Sequence, residues 1–337
     1  MPRITLAQAH LLVRKSLVDH GASGIMAGAT SRALVGAEAA GQAGHGLSRV
    51  PMYTGFLRTG RADGKAQPVR VAERGGAVLI DARNGLAYPA LEIAEAEAGF
   101  RTKEHGISVA GVTNSNHAGA MGLPVARLAR EGLVALAFTH APASMPMPGG
   151  KRPLFGTNPI AAAFPRRDAP PLVIDLALSG VARGKILKAA QNNEPIPEGW
   201  ALDAEGNPTT DPHMALEGTM LAVGGTKGAL LAMMVELLSV ALTGAALSFE
   251  ADSFFREAGN QPRLGQVIMA IDPAAMAGQA AFLDRVEALV EAIGGDEGVR
   301  LPGDRRWDAE HRAEAEGVDI PRPLLDQLQE LAGRVVA

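Results

Sequence analysis

With 47% hydrophobic and 20% charged residues over 337 positions, the chain is long enough for roughly two domains and too apolar for wholesale disorder. Its 32 basic and 36 acidic residues leave a net charge of -4, which removes the basic face that a sequence-independent nucleic-acid binder needs. Cysteine is absent, so disulfides, thiolate metal sites and cysteine nucleophiles are excluded; no signal-peptide pattern opens the chain, and a cytoplasmic protein without a metal site is expected.

In chain order, Thr5 predicts the N-cap of a helix through Leu11, Leu12, Val13 and Leu17, and a second helix is predicted over 23–38. After Gly41, Gly44 and Gly46 comes a third, with Ser48 as N-cap, Pro51 in its first turn, and Tyr53, Phe56 and Leu57 along it. Short apolar runs predict strands at 77–81, 107–112, 133–138, 160–164, 172–175 and 266–271, with helices at 87–105 and 122–131. A polar loop is expected at 192–212 and further helices at 274–293 and 323–335. The apolar stretch 228–247 is about long enough to span a bilayer. Glu236 at its centre argues instead for a buried helix of a soluble protein, with no membrane partner. Strands joined by helical crossovers imply an α/β or α+β core, the N- and C-terminal helices forming one layer beside the sheet.

The dinucleotide fingerprint G-x-G-x-x-G, a complete P-loop, H-E-x-x-H and G-x-S-x-G are all missing. What remains is a set of small constellations, each with a plainer alternative. In Gly44-His45-Gly46-Leu47-Ser48-Arg49, glycines free the histidine backbone. The imidazole suits proton transfer near neutrality, and the arginine suits a carboxylate. The alternative is a histidine at a helix start beside a surface arginine. Thr113 to Gly122, between a strand and a helix, offers backbone N–H groups to a phosphate, or is an ordinary loop. Gly156-Thr157-Asn158-Pro159 reads as a turn, with Thr157 and Asn158 able to bond a ligand. Asp175 with Arg183 and Lys185 is a ligand-side cluster at a strand end or a solvated charge group. Gly224-Gly225-Thr226-Lys227-Gly228 and Leu301-Pro302-Gly303-Asp304-Arg305-Arg306 are two further candidates for phosphate.

In order, GHGLSRVPMY, TNSNHAGAMG, GTNPIAAAFP, VIDLALS with ARGKI, GGTKGALLAMMVELL and LPGDRR resemble the malate/L-lactate dehydrogenase family that lacks a Rossmann fold. The resemblance implies a mixed α+β fold whose cofactor domain is a largely antiparallel sheet flanked by helical domains. Residues 1–72 with 285–337 would form a helical substrate and dimerisation domain. Residues 73–180 with 250–284 would form the sheet domain, and 181–249 a helical insertion. It also implies a homodimer, NAD or NADP as cofactor, and hydride transfer to or from the carbon beside a carboxylate of a small anionic substrate. His45 would donate or accept the proton, Arg49 would hold the carboxylate and Thr157 would touch substrate. The cofactor would be lined by His117, Ala118, Gly119, Ala120, Met121, Gly122, Asp175, Leu176, Ala177, Lys227 and Gly228, and by Leu301, Pro302, Gly303, Asp304, Arg305 and Arg306.

Two departures stand out. Many relatives carry serine where this chain has Gly44, so a hydroxyl beside His45 is missing. Relatives that reduce cyclic imines carry an acid where this chain has Lys185. With Arg183, that lysine suits a 2-hydroxy or 2-oxo acid bearing a second negative group. The alternatives are a reductase of cyclic 2-imino carboxylates and a catalytically silent homologue.

Overall fold

The computed structural model describes residues 1–333. β1 (Arg3–Ile4) leads into α1 (Leu6–Asp19). Thr5 caps α1 as expected: its hydroxyl accepts the Gln8 N–H, and the Gln8 side chain accepts the Thr5 N–H. α2 (Gly24–Ala39) and α3 (Val50–Thr59) follow. An antiparallel hairpin, β2 (Val69–Arg74) and β3 (Ala77–Asp81), then opens the sheet. α4 (Tyr88–His105), β4 (Ile107–Ser115), α5 (Gly122–Arg130), β5 (Val134–Thr139), β6 (Ile160–Phe164) and β7 (Leu172–Leu176) extend it.

A smaller three-stranded unit comes next. It contains α6 (Arg183–Asn192), β8 (Ala201–Leu202), β9 (Pro208–Thr209), α7 (Pro212–Glu217) and β10 (Thr219–Met220). α8 (Thr226–Glu236) then runs into a π-helical turn, Leu237–Ala241. β11 (Leu264–Ile271), α9 (Gln279–Gly294), α10 (Asp304–Glu316), β12 (Val318–Asp319) and α11 (Arg322–Leu331) end the described chain.

The main sheet has seven strands in the order β2-β3-β4-β11-β5-β6-β7. Every neighbouring pair is antiparallel except β3 with β4, whose parallel crossover is α4. Period-two alternation divides its side chains between two cores. Ala110, Val112, Ala135, Ala137, Ile268 and Ala270 pack in one cluster with α2, α4 and α5. Phe138 and Val267 join a second cluster with Ala232 and Val235 of α8. β12 returns to pair with β1, which brings α10 and α11 against the N-terminal helices in one layer, as the sequence implied, whereas α9 buries no residue and stands outside it.

Several expectations change. Ser48 is not an N-cap: Leu47–Arg49 is a 3-10 turn, α3 starts at Val50, and the Ser48 hydroxyl donates to the Ala43 carbonyl at 2.6 Å. The helix expected over 228–247 ends earlier and is not wholly buried, since Leu230, Leu231, Met234 and Leu237 stay exposed. Among the described residues no helix is long and apolar enough to cross a membrane. The 192–212 loop holds the β8–β9 hairpin. The helix expected over 274–293 is broken by a 3-10 turn at Pro273–Ala275 and restarts at Gln279. The Pro-Gly turn at Leu301 starts α10, which has no apolar stripe to announce it. Residues 334 and 335 of the last predicted helix lie outside the described residues.

Candidate active site

A cleft of about 280 Å³ opens where the loop between α2 and α3 meets the ends of β6 and β7. It gathers His45, Arg49, His117, Gly119, Ala120, Thr157, Asp175, Leu176, Ala177 and Arg183 from five separate segments. The His45 loop is built on a half-buried carboxylate. Glu38 accepts the Leu47 N–H at 2.8 Å, and a Cβ on Gly46 would lie 2.2 Å from its oxygen, so a side chain there would displace the carboxylate from this bond.

His45 and His117 stack in parallel with ring centroids 5.8 Å apart. Burial, with help from the Arg49 charge, pushes His45 below the usual imidazole range, while Asp175 opposes the shift. His117 is held still further down, by burial first and then by Arg49 and His45. Behind it stands a pair of phenols: Tyr53 Oη lies 2.7 Å from His117 Nδ1 and 2.7 Å from Tyr88 Oη. Burial pushes Tyr88 up to about 12 and Tyr53 well above its ordinary value, so both stay protonated. This chain of bonds fixes the His117 ring. Spacing hinted only at Tyr53, four residues after Arg49; Tyr88 had no signal.

Two guanidinium groups face the cleft without a carboxylate partner. Arg49 Nε donates to the Gly44 carbonyl at 2.6 Å, leaving the far end of the fork free of any acid. Arg183 donates to the Leu216 carbonyl at 2.9 Å and stacks over Phe255, 5.2 Å from its centroid. Phe254, also unforeseen, sets its ring edge-on to His117 at 5.3 Å. Lys185 does not join them. It is exposed and lines no part of the cleft. Two residues along a helix of about 3.6 residues per turn point to nearly opposite sides, so α6 turns Lys185 away from the face that carries Arg183.

Asp175 is a junction rather than a partner of those two cations. Its Oδ2 accepts from Gly122 N–H (3.0 Å), Gln42 Nε2 (3.2 Å) and Arg306 Nη2 (3.1 Å). The N–H of Gly122, first in α5, is therefore taken by a protein carboxylate and not left open for phosphate. The two arginines of the LPGDRR stretch diverge: Arg305 is exposed and Arg306 is buried on Asp175. Pro302 accepts the Val173 N–H at 3.0 Å, and Asp304 accepts the Leu301 N–H at 3.0 Å, so Leu301, Pro302, Gly303 and Asp304 brace the start of β7. Met121 and Ala118 are buried in the core beside the cleft. Lys227 and Gly228 stand apart at the start of α8. A Cβ on Gly228 would meet the Val223 carbonyl at 1.8 Å, which explains that glycine without a ligand.

A larger groove of about 630 Å³ lies between α2, α4 and α5. Its rim cations Arg32, Arg127 and Lys103 are already paired with Glu92, Glu95 and Glu131, so it offers no free catalytic group.

The donor set fits a nucleotide cofactor. The N–H groups of Gly119 and Ala120 have no partner among the described residues. Gln42 Oε1 and Arg306 Nη1 are buried and unpartnered. Gly119 holds φ +68°, with Tyr88 Oη where a Cβ would stand at 2.5 Å, so backbone replaces side chain on that wall. Gly122→Ala should be damaging for a similar reason. Its Cβ would fall 2.4 Å from Arg306 Nη2 and 2.6 Å from Asp175 Oδ2. If the methyl prises this buried pair apart the cost should approach about 3 kcal/mol, read as a lowered midpoint in denaturant; an unchanged midpoint would show that the two side-chain ends shift aside without losing their contact.

The family model for malate/L-lactate dehydrogenase matches residues 4–329. The chain belongs to the malate/L-lactate dehydrogenase family. Within that family it is 48% identical over 329 residues to a (2R)-3-sulfolactate dehydrogenase (NADP(+)) of Chromohalobacter salexigens, covering 98% of each chain. It is 40% identical over 324 residues to a Δ1-pyrroline-2-carboxylate/Δ1-piperideine-2-carboxylate reductase of Pseudomonas syringae pv. tomato, covering 96% of this chain and 94% of that one. The crystal structure of a Δ1-piperideine-2-carboxylate reductase from the same organism superposes with a TM-score of 0.92 at 37% identity, covering 98% of this chain and all of that one. This member of the family is therefore an NAD(P)-dependent oxidoreductase acting on CH–OH or C=N groups.

Proposed function

We propose that the chain interconverts a small 2-oxo acid and its 2-hydroxy acid, that the substrate carries a second anionic group, and that the cofactor is NADP(H). The observation that carries this reading is the pair of guanidinium groups, Arg49 and Arg183, that face one cleft with His45 and form no ion pair, Glu217 acting on Arg183 from beyond ion-pair distance. A partly buried cation without a counter-charge is costly and is relieved by an anionic ligand. Arg49 takes the carboxylate beside the reacting carbon and Arg183 takes the distal anion. His45 gives its proton to the carbonyl oxygen during reduction and recovers it during oxidation. Thr157 bonds the substrate from the opposite wall, and Phe254 and Phe255 keep water from the mouth. The bound cofactor supplies or accepts the hydride. Gly119, Ala120, Asp175, Leu176, Ala177 and Arg306 would hold it, without the glycine-rich crossover of a doubly wound domain.

The sheet domain of residues 73–180 with 250–284 carries most of this cofactor wall, Arg306 coming from the helical part of 1–72 with 285–337, and the insertion 181–249 adjoins it. The homodimer that the resemblance implies would form through the helical part of 1–72 with 285–337. NADP is favoured by the 48% identical relative, a sulfolactate dehydrogenase (NADP(+)).

Reduction of a cyclic 2-imino carboxylate is the second reading. Lys185 stands off the cleft, so that position no longer argues against an imine, and the choice rests on Arg183. Purified protein should be assayed with NADPH and NADH on sulfopyruvate, oxaloacetate, pyruvate and piperideine-2-carboxylate. The two dianions should exceed pyruvate in kcat/KM by about 10-fold or more, the worth of one charged hydrogen bond. Arg183→Ala should remove that preference, and Lys185→Ala should leave it within about twofold. An imine as best substrate, with Arg183→Ala damaging all four alike, would overturn the dianion reading.

A further inference from the structure

Glu236 has no part in the chemistry above, yet no other acidic side chain among the described residues is as deeply buried, at 3% exposure. It ends α8, at the step into the π-helical turn. No cation pairs with it. Burial pushes the neighbouring imidazole, His140, toward its neutral form against the opposing charge of Glu236, and its Nε2 lies 2.9 Å from the Ala246 carbonyl. The carboxylate is instead held by three dipoles. Oε2 accepts from Asn158 Nδ2 at 2.9 Å and from the Ser248 hydroxyl at 2.6 Å, while Oε1 accepts the Ser248 N–H at 2.7 Å.

These donors lead straight to the cleft. Asn158 lies between Thr157 and Pro159, which both line it. Its backbone is left-handed, at φ +37°, a conformation that needs outside support in a residue with a side chain. Its amide is pinned a second time, to the Ala232 carbonyl at 2.9 Å. Ser248 Oγ accepts the Gly156 N–H at 3.2 Å, and its carbonyl accepts the N–H of Ala143, another lining residue, at 2.9 Å. Both segments of this wall therefore hang from one carboxylate.

We propose that Glu236 is a positioning residue for the Thr157 wall, setting substrate affinity through Asn158 and Ser248 without touching substrate. The inference rests on the reading that Thr157 meets the substrate. Glutamine cannot replace it. A carboxylamide turned either way sets its NH2 against a donor: at Oε1 against the Ser248 N–H, which cannot turn, and at Oε2 against Asn158 and Ser248. Flipping Asn158 to oblige would face its oxygen toward the Ala232 carbonyl.

The experiment is a mutant cycle on the full-length protein with sulfopyruvate or oxaloacetate, whichever turns over faster, and NADPH. Glu236→Gln should raise KM for the oxo acid about 10-fold, with kcat and the Kd for NADPH within about twofold. Thr157→Val should raise KM comparably, and the double variant should be no worse than Thr157→Val alone. An unchanged KM in Glu236→Gln beside a raised one in Thr157→Val would overturn the inference and spare the substrate reading. Parallel loss of KM, kcat and NADPH affinity, repeated in full on the Thr157→Val background, would reduce Glu236 to general support and also overturn it. If Thr157→Val is silent, the reading of Thr157 fails and the inference with it, whatever Glu236→Gln does. Should Glu236→Gln not fold, Ser248→Ala, which removes one donor to Glu236 and the acceptor of Gly156, takes its place in the same cycle.

Discussion

Arg49→Lys should lower kcat/KM for the oxo acid by about 100-fold, almost all of it in KM. The effect follows from how the guanidinium is fixed. Its Nε is committed to the Gly44 carbonyl at 2.6 Å, and Nη1 makes only a weak 3.9 Å contact to Met52 Sδ, which a bound carboxylate would displace to meet both terminal nitrogens as a planar fork. A carboxylate accepts such a fork through two parallel charged bonds. Lysine keeps the charge but offers a flexible point donor, so one bond and the preset orientation are lost, worth about 3 kcal/mol together. The carboxylate is held alike before and during hydride transfer, and an interaction of that kind appears in KM rather than kcat. Steady-state kinetics on oxaloacetate and a titration of NADPH fluorescence separate the two effects; cofactor affinity should stay within about twofold. Normal kinetics in Arg49→Lys would mean that the carboxylate is held elsewhere, with Arg183 the next guanidinium in the cleft.

Much of this site could be read from residue order, and the part that could not has a common cause. His45, Arg49, Thr157 and Asp175 stand in short motifs: Gly44 and Gly46 flank His45, Gly156 and Pro159 bracket Thr157, and Asp175 closes an apolar strand run. The sheet strands follow from short apolar runs and the first helix from the Thr5 cap. What stayed hidden depends on pairs far apart in the chain. Asp175 and Arg306 are 131 residues apart, and α10, which delivers Arg306, is charged along most of its length. Tyr88 reaches Tyr53 across 35 residues, and Glu236 reaches Asn158 across 78. β2 was missed because only one face of an edge strand is covered, and five of its six residues are exposed. Lys185 shows the opposite error. Adjacency to Arg183 suggested a shared role, and the pitch of α6 separated them.

His45→Ala should lower kcat by about 10² to 10⁴, the range for removing a positioned general acid, with NADPH binding intact if, as proposed, the ring serves the substrate. Its pH dependence gives the sharper test. Burial and the Arg49 charge hold the imidazole below its ordinary 6.5, with Asp175 opposing them. Reduction needs the protonated ring, so kcat/KM for the oxo acid should rise as pH falls through this lowered value. Oxidation of the hydroxy acid needs the neutral ring and should already be at its plateau near neutrality. Arg49→Met, which removes one of the two forces that lower His45, should move the reductive limb to higher pH despite its poor binding. In His45→Ala the limb should vanish and leave a flat residual rate. If the limb survives in His45→Ala, the proton comes from another group. His117 is the neighbour to suspect, since its ring stacks on His45 at 5.8 Å. His117 is, however, driven further below the ordinary value, and its Nδ1 is engaged by Tyr53. A limb due to His117 would therefore lie at lower pH than one due to His45 and would shift when Tyr53 is changed to phenylalanine.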